Sequence, residues 1–335
     1  MKEKLIEIKK FIGSLNLTTS LSKRYRGKGV IFYFHQVLTD DDFANIPRPN
    51  NDLAISASSF TKHIQFLKRN CNIVHLKELY RNNNLAKNNK LNVAITFDDG
   101  YLDNLTNAFK ILKKYNAPAT IYITTSYIND KKIPWWIDLW SILQNVRGVT
   151  ECYLLNNNIT INKNNKIYAF KKISYFLIKK KTNEIYLFLN KLRKSINLKK
   201  GKSKRIFLNR KEIKKLSKNK LITIGAHTHN HENLKLLTYK DSKKEIMKSK
   251  KILENIIKKR VDDFAIPYGT KDNFDSKEID ILVKNGFKSN VTTINKPFFY
   301  QSNFILPRIG LGNHDDKKSL NDKITGWNFL VKKFI

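Results

Sequence analysis

Short apolar runs alternate with amphipathic segments along this chain, and the alternation limits its possible folds more than any other feature. The apolar runs 29–37, 91–97 and 117–128 have the length and composition of buried strands. Between them, apolar residues recur at helical spacing in 56–70, which opens with a serine, and in 102–116. The order strand, helix, strand, helix, strand is typical of a parallel sheet with crossover helices. The pattern therefore predicts an α/β fold.

The second half of the chain resumes this pattern after an interruption. Residues 145–220 are rich in lysine and asparagine, and they predict an insertion of helices and polar loops. Beyond the insertion we expect strands in 220–227, 261–269, 288–293 and 304–311, and helices in 238–259 and 276–286. The whole pattern predicts a barrel of β/α units with fewer than eight regular strands.

The two ends of the chain are predicted to lie outside this barrel. Residues 1–28 form an amphipathic helix and linker, 29–312 form the barrel, and 313–335 form a C-terminal tail. The first residues lack the continuous apolar stretch of a signal peptide or a membrane span. We therefore expect a cytoplasmic protein whose first helix either rests on a membrane surface or packs on the barrel.

The net charge of +36 suggests an anionic partner, and the distribution of the lysines decides between the candidates. The lysines are spread along the whole chain, and no aromatic-basic motif accompanies them, so nucleic acid is not expected. Peripheral contact with an anionic membrane is favoured over nucleic acid, and a solvated basic surface is the alternative. The two cysteines, Cys71 and Cys152, form no CxxC pair, which argues against a thiolate metal site and a disulfide scaffold.

Unusual polar residues follow four of the predicted strands. They are His35, the pair Asp98 and Asp99, the segment His227–His231, and the turn Pro267–Gly269. In parallel α/β folds the carboxyl ends of the strands gather the active groups at one edge. Three of the seven histidines fall within five residues, in "HTHNH". We expect these side chains to form one site.

The spacing of the histidines allows two arrangements around a cation. In a helix-like turn, His227 and His231 share a face, whereas in an extended segment His227, His229 and His231 share it. Imidazole and carboxylate ligands suit Zn²⁺ or a related divalent ion. One carboxylate of the Asp98–Asp99 pair would bind the cation and the other would act as a base, so the cation would remove their mutual repulsion.

Several motifs of this sequence, in order, resemble those of the polysaccharide deacetylases, the chitooligosaccharide deacetylase-like carbohydrate esterases. The motifs are "TFDDGY", "HTHNH" and "PYG", and "FYFHQV" resembles the N-terminal segment of the branch that deacetylates biofilm polysaccharides. The segments "APATIYI", "PWWIDLW" and "LPRIGL" are also similar. The resemblance covers residues 29–312 and is weakest in 145–220. It implies a distorted (β/α) barrel with an Asp-His-His metal site.

The resemblance also implies roles for individual residues. Asp98 would be the general base, and His35, with His314 as a weaker alternative, would be the general acid. The metal ligands would be Asp99, His227 and His231. Substrate-binding residues would be Pro267, Tyr268, Gly269 and Arg308. Apart from the resemblance, aromatic rings suit stacking on sugars, so Trp136, with Trp135 and Trp140, is a candidate for the wall of the substrate groove, and core packing is the alternative for each. Many family members carry an arginine where this chain has Ala265, and Arg308 is the candidate for a substitute charge.

These roles describe a metal-dependent hydrolase that removes N-acetyl groups from an N-acetylhexosamine-containing polysaccharide or its precursor and releases acetate. The expected cofactor is a divalent metal, with Zn²⁺ preferred, and the expected partner is an N-acetylated glycan used in cell-surface polysaccharide biosynthesis. The alternative is a catalytically impaired relative that binds carbohydrate or a membrane surface. The presence of both aspartates and both histidines favours the enzyme.

Overall fold

Parallel strands form the centre of the molecule. The computed structural model describes residues 29–49, 53–81, 90–154, 157–199, 205–297 and 304–326, and the helix predicted within 1–28 lies outside these ranges. The strands are β1 (Gly29–Phe34), β2 (Gln36–Leu38), β3 (Ala54–Ser56), β4 (Cys71–Ile73), β5 (Leu91–Phe97), β6 (Ala119–Ile123), β7 (Thr150–Leu154), β8 (Asn157–Ile161), β9 (Ile222–Ala226), β10 (Asp263–Ala265), β11 (Ser289–Val291), β12 (Ile305–Leu306) and β13 (Ile309–Gly310).

Helices surround these strands. The α-helices are α1 (Asp40–Asn45), α2 (Ala57–Asn70), α3 (Leu76–Arg81), α4 (Phe109–Lys114), α5 (Trp135–Gln144), α6 (Lys166–Leu177), α7 (Thr182–Ser195), α8 (Arg210–Ser217), α9 (Tyr239–Ile257), α10 (Ser276–Lys284) and α11 (Lys317–Thr325). A π-helical turn, Asn104–Ala108, precedes α4, and short 3₁₀ turns occur at Ile128–Asp130 and Leu234–Leu236.

Nine of the described strands form one parallel sheet. Their spatial order is β12, β11, β10, β9, β6, β5, β1, β13, and β4 pairs with the first half of β5. Only β1, β5, β6 and β9 have five to seven residues, and the other five strands have two or three. The structure therefore confirms the predicted α/β fold, a distorted (β/α) barrel with fewer than eight regular strands.

The last two strands join the opposite ends of this sheet. β12 pairs with β11 at one end, and β13 pairs with β1 at the other end. Only Pro307 and Arg308 separate β12 from β13 in the chain. A single segment of six residues therefore links both edges of the sheet and places Arg308 at the seam.

The main core lies between the sheet and the helices α2, α4, α8, α9, α10 and α11. Helix α2 shows how the sequence builds it. Ser56 caps the helix, because its Oγ accepts a hydrogen bond from the Ser59 N–H at 3.2 Å. Phe60, Ile64 and Leu67 then fall on one helical face and are fully buried. All seven residues of β5 are buried, as expected for a central parallel strand.

The insertion has its own core and differs from the prediction in its limits and its content. Helices α5, α6 and α7 and the antiparallel hairpin β7–β8 pack around Leu139, Phe170 and Leu189. The unit therefore begins at α5, before residue 145. Helix α8 does not belong to it, since α8 contributes to the main core. The hairpin was not predicted because its apolar alternation is short and is interrupted by asparagines.

Three further segments differ from the sequence-based expectation. The helix expected at 102–116 starts with the π-helical turn, and α3 forms in a segment for which we predicted no helix. Helix α3 has only six residues, too few for a helical period to be recognised. Part of the predicted C-terminal tail forms α11, whose Leu320 and Ile324 are buried in the main core. No helix among the described residues combines the length and apolarity that a membrane crossing requires.

Candidate active site

The predicted polar strand ends meet at the carboxyl edge of the sheet. His35 follows β1, Asp98 and Asp99 follow β5, His227 follows β9, and the Pro267–Gly269 turn lies two residues after β10. The Asp98 N–H extends the pairing of β5 with β1 by donating to the Phe34 carbonyl oxygen at 3.0 Å. The backbone hydrogen bonds of the sheet therefore position the carboxylates of Asp98 and Asp99 at this edge.

Asp99, His227 and His231 form a buried cluster with the composition of a metal site. The distance from Asp99 Oδ1 is 3.7 Å to His227 Nε2 and 3.5 Å to His231 Nε2. One potential ligand atom from each residue lies within 4.8 Å of the other two. His229 points elsewhere, and its Nδ1 lies 2.9 Å from Thr125 Oγ1. The structure therefore shows the arrangement in which His227 and His231 share a face.

Neighbouring groups orient this cluster for a cation. His227 Nδ1 donates to the Ala265 carbonyl oxygen at 2.8 Å, so the lone pair on Nε2 faces Asp99. Asp99 Oδ1 is buried and accepts no hydrogen bond within the described part of the chain. A buried carboxylate oxygen of this kind requires a positive partner. Two imidazoles and one carboxylate are the donor set that divalent zinc prefers, so the residues fit such an ion.

The pKa values of the three side chains show the cost of burying them without a cation. Burial, and then the charge of Asp98, raise the pKa of Asp99 well above its usual range. Burial lowers the pKa of His227, although Asp98 and the Ala265 carbonyl oppose this shift. Burial and the neighbouring His227 lower the pKa of His231 well below the usual value. Both imidazoles are therefore neutral near pH 7, which is the form that binds metals.

Aromatic rings enclose His231. The rings of Trp136, Tyr268 and His227 each meet the His231 ring edge-on, at centroid distances of 4.8–4.9 Å. Trp136 Nε1 donates to the Tyr101 hydroxyl at 3.3 Å, and Tyr101 also contacts the Asp99 carboxylate. Trp136 is partly exposed, so it both packs against a candidate ligand and faces the surface of the site.

Asp98 is held by Arg308. The guanidinium donates two hydrogen bonds of 2.7 Å, one to each carboxylate oxygen, and also bonds Thr96 Oγ1 and the Thr292 carbonyl oxygen. Burial alone would raise the pKa of Asp98, but the charge and hydrogen bonds of Arg308 outweigh it and hold this pKa well below its usual range. Arg308 is completely buried and bonds the candidate base, and its assignment as a substrate-binding residue stays a prediction. It supplies the substitute charge for the arginine that Ala265 replaces.

His35 lies near Asp98 and His227 at the end of β1. Burial lowers its pKa to about 4; the charge of Asp98 opposes this shift, and Arg308 and His227 reinforce it. The Tyr33 ring meets the imidazole edge-on at 5.8 Å. His314, the weaker candidate for the acid, has an exposed side chain 3.9 Å from Asp315 and lies in a groove beside α2.

The Pro267–Gly269 turn is fixed by Thr293. The Thr293 N–H donates to the Gly269 carbonyl oxygen at 2.9 Å, and the Thr293 Oγ1 donates to the Tyr268 carbonyl oxygen at 2.6 Å. Gly269 has φ = 68°, and a Cβ there would lie 2.6 Å from the Thr293 nitrogen, so only glycine fits. Pro267 and Gly269 are buried and shape the turn, and only Tyr268 of the three is partly exposed. Among the described residues, the Tyr268 N–H has no acceptor.

Left-handed backbone conformations are concentrated around the site. Asp99, Thr228, His231 and Tyr268 all have φ between 58° and 71°. Such values cost free energy for residues other than glycine, and they persist where the surrounding structure fixes them. The Thr228 hydroxyl supports one of them by accepting a hydrogen bond from the His231 N–H at 3.0 Å. Two of the candidate metal ligands, Asp99 and His231, therefore have strained backbone conformations.

Sequence reasoning did not identify Tyr101 as part of the site. Tyr101 directly follows the Asp98-Asp99-Gly100 motif, and its position in that motif was the available signal. Trp135, predicted for the groove wall together with Trp140, is buried, and its Nε1 donates to the Tyr268 hydroxyl at 3.0 Å. Trp140 packs on Phe170 in the inserted unit, and its Nε1 bonds the Pro47 carbonyl oxygen.

Comparison with known proteins identifies relatives of this chain. A poly-β-1,6-N-acetyl-D-glucosamine N-deacetylase of Staphylococcus epidermidis is 29% identical over 113 residues, which cover 32% of this chain and 39% of that protein. The aligned segment thus spans about two fifths of this curated relative.

Two solved structures share the fold. The first is the deacetylase PplD of Streptococcus pyogenes in complex with acetate, at a TM-score of 0.58 and 19% identity over 89% of this chain and 98% of that one. The second is IcaB from Ammonifex degensii, at a TM-score of 0.57 and 16% identity over the same shares of the two chains. At these identities the likeness supports the barrel architecture.

A family model decides the assignment. The model described as polysaccharide deacetylase matches residues 86–289, which are more than half of the chain and include Asp98, Asp99, His227, His231 and the Pro267–Gly269 turn. The chain therefore belongs to the polysaccharide deacetylase family, whose members are hydrolases acting on carbon–nitrogen bonds other than peptide bonds.

Proposed function

We propose that this protein is a metal-dependent deacetylase that removes N-acetyl groups from an N-acetylhexosamine-containing glycan and releases acetate. The observation that carries the proposal is the buried cluster of Asp99, His227 and His231 beside the ion pair of Asp98 and Arg308. A cation-binding donor set next to a second, ionised carboxylate is an arrangement that supports metal-assisted hydrolysis of an amide.

The three clustered side chains would hold the cation. When bound, a divalent ion such as Zn²⁺ would polarise the acetyl carbonyl and lower the pKa of a water molecule. The roles of the protein are to keep both imidazoles neutral and to aim their Nε2 atoms. For His227, the hydrogen bond from Nδ1 to the Ala265 carbonyl oxygen does this directly.

Asp98 would accept a proton from the attacking water. Because Arg308 keeps its pKa low, Asp98 remains ionised throughout the neutral range. The paired hydrogen bonds of the guanidinium also fix the plane of the carboxylate, since a bidentate pair restricts rotation.

Tyr268 and His35 would stabilise two different groups as the amide bond breaks: the oxyanion and the departing amine. The unpaired Tyr268 N–H is available to a developing oxyanion. His35, on the neighbouring strand β1, would donate a proton to the departing sugar amine. Its low pKa in the free protein means that it would have to gain this proton within the substrate complex.

The proposed substrate is a β-1,6-linked N-acetylglucosamine polymer or its precursor. The named activity of the Staphylococcus epidermidis relative supports this choice, and the partly exposed ring of Trp136 offers an aromatic surface for a sugar. Peripheral contact with an anionic membrane is a further proposal, supported by the net charge of +36.

Acetate release from N-acetylglucosamine oligomers tests the proposal. We expect zinc-loaded protein to release acetate, with preference for β-1,6 over β-1,4 linkages, and we expect a chelator to abolish the activity. Asp98→Asn should lose it as well, whereas His229→Gln, which changes a nearby histidine outside the cluster, should retain most of it. Chelator-resistant activity or a fully active Asp98→Asn variant would contradict the mechanism. Binding of the oligomers without any acetate release would favour the impaired relative.

A further inference from the structure

Three polar side chains at the start of one helix contact the backbone of the segment that carries His35. They are Asp103, Asn104 and Asn107, at the π-helical turn after the Asp98-Asp99-Gly100 motif, and we call them the β1-loop clamp. Asn104 Nδ2 donates to the His35 carbonyl oxygen, and Asn107 Nδ2 donates to the Val37 carbonyl oxygen, both at 2.8 Å. Asp103 Oδ1 accepts from the Val37 N–H at 2.8 Å.

Two further hydrogen bonds complete the β1-loop clamp. Gln36 Nε2 donates to Asp103 Oδ2 at 3.3 Å, and Asn104 Nδ2 also lies 3.1 Å from Asp103 Oδ1. The clamp therefore reaches the main chain of His35 and Val37 and the side chain of Gln36 between them. Asp103 is 9% exposed and Asn104 is fully buried. Burying a carboxyl group and an amide is unfavourable without hydrogen bonds, so the bonds that Asp103 and Asn104 Nδ2 make favour one backbone geometry, while Asn104 Oδ1 has no partner among the described residues.

The His35 side chain has no comparable support of its own. Its Nδ1 is buried and makes no hydrogen bond with the described residues, and its recorded ring contact is the edge of Tyr33. The orientation of the imidazole therefore depends on the backbone at residue 35. The β1-loop clamp holds that backbone from the π-helical turn, and the pairing of β2 with β3 also holds Gln36 and Val37.

The π-helical turn also connects the ends of two neighbouring strands. β1 and β5 are paired along their full lengths, so His35 and Asp98 leave the sheet from adjacent strands. The β1-loop clamp begins five residues after Asp98 and bonds His35 and the start of β2, which directly follow β1. It thus ties the two strand ends together. π-helical turns are rare and occur frequently at functional sites.

We infer that Asp103, Asn104 and Asn107 are positioning residues that set the place of His35 relative to Asp98 for proton transfer to the leaving amine. The inference rests on the proposed function, in which His35 is the general acid. It assigns to this turn a role in the acid step alone, since none of its three side chains contacts Asp99, His227 or His231 through a hydrogen bond recorded in the described residues.

Comparison of an amide with an activated ester tests the inference. Nitrophenolate leaves without protonation, so hydrolysis of 4-nitrophenyl acetate does not need the acid, whereas release of a sugar amine does. In zinc-loaded Asp103→Asn, Asn104→Ser and Asn107→Ala we expect acetate release from the N-acetylglucosamine oligomer to fall about tenfold or more. Ester hydrolysis and bound zinc should stay within about twofold of wild type, the pattern also expected of His35→Ala.

Thr106→Ala is the matched control, because Thr106 lies on the same turn with an exposed side chain. It should leave both rates unchanged. A parallel fall of the amide and ester rates in all three clamp variants would show a general structural effect and overturn the inference. Unchanged amide hydrolysis in all three would overturn it too.

A readout that needs no activity separates this inference from the proposed function. In histidine-labelled protein, the ring resonances of His35, assigned with His35→Gln, should be single in wild type and in Thr106→Ala. They should shift or broaden in Asn107→Ala. Identical His35 resonances in all clamp variants would contradict the inference even if the enzyme deacetylates its substrate. If wild type releases no acetate, the proposed function fails, and these spectra still decide whether the clamp positions His35.

Discussion

At the scale of single residues, Arg308 and Ala265 each orient one side chain of the site. Many family members place an arginine at the position of Ala265, and here the backbone of this residue orients His227 through its carbonyl oxygen. The charge comes from Arg308, which is 210 residues from Asp98 in the sequence and bonds both of its oxygens. A backbone acceptor survives any change of side chain, so this site can keep its ligand geometry while the arginine comes from the segment between β12 and β13.

Replacing Arg308 should destabilise the protein and inactivate it. In Arg308→Gln, Asp98 stays buried without its cation, and breaking a buried ion pair from one side costs about 3–5 kcal/mol. Arg308→Lys should not restore activity, because a single ammonium group cannot make the bidentate contact. Urea unfolding measures the loss. Arg205→Gln, which breaks an exposed pair with Glu212, should cost less than about 1 kcal/mol, and equal losses in both variants would contradict this assignment.

At the scale of elements, a buried histidine joins α2 to the segment before α11. His63 is 2% exposed, and its Nε2 lies 2.8 Å from the Asp315 carbonyl oxygen, to which it donates. Burial lowers the pKa of His63, although the Asp315 carbonyl and carboxylate oppose this shift. Burial therefore favours the neutral imidazole in the folded protein.

Acidification should weaken this junction. Since the pKa of His63 is lower in the folded than in the unfolded state, the unfolded chain binds more protons below the ordinary histidine pKa of about 6.5. The free energy of unfolding should therefore be maintained above that pH and fall as the pH drops below it. Urea titrations at pH 7.5 and 5.5 measure this loss. His63→Gln, which keeps a donor, should show a smaller loss than wild type, and an unchanged loss would refute the assignment. His314→Gln, on an exposed side chain, should behave as wild type.

The elements also show what the sequence could and could not predict. Long periodic segments such as α2, α9 and β5 were predicted because their burial pattern lies within one continuous stretch. The π-helical turn at Asn104–Ala108 was not predicted, because hydrogen bonds to His35 and Val37, about 70 residues earlier in the chain, stabilise it. The site follows the same rule. The spacing of His227 and His231 indicated a shared cation, whereas the bond from Arg308 to Asp98 depends on the seam between β12 and β13.

At the scale of the whole molecule, the metal cluster should couple cation binding to stability. The raised pKa of Asp99 and the lowered pKa of His231 show that the folded protein buries these groups at a cost. A cation bound only by the folded state adds about 4 kcal/mol at a concentration a thousandfold above its dissociation constant.

Thermal unfolding with Zn²⁺ or with a chelator measures this coupling. We expect a clearly higher midpoint with Zn²⁺ for wild type and for His229→Gln. The shift should be lost in His231→Gln, because two ligands hold the cation more weakly than three. An equal shift in His231→Gln would place the ion elsewhere in the molecule.

The segment that joins the two edges of the sheet also sets when the site can exist. Ile305–Gly310 covers both open strands and brings in Arg308, the partner of Asp98, and it stands near the end of the chain. During synthesis, every shorter nascent chain leaves two strand edges unpaired and one buried carboxylate without its counter-ion. The emerging polypeptide therefore cannot form this site until residues 305–310 have left the ribosome, and we expect a chain cut before residue 305 to expose unpaired strand edges that favour aggregation.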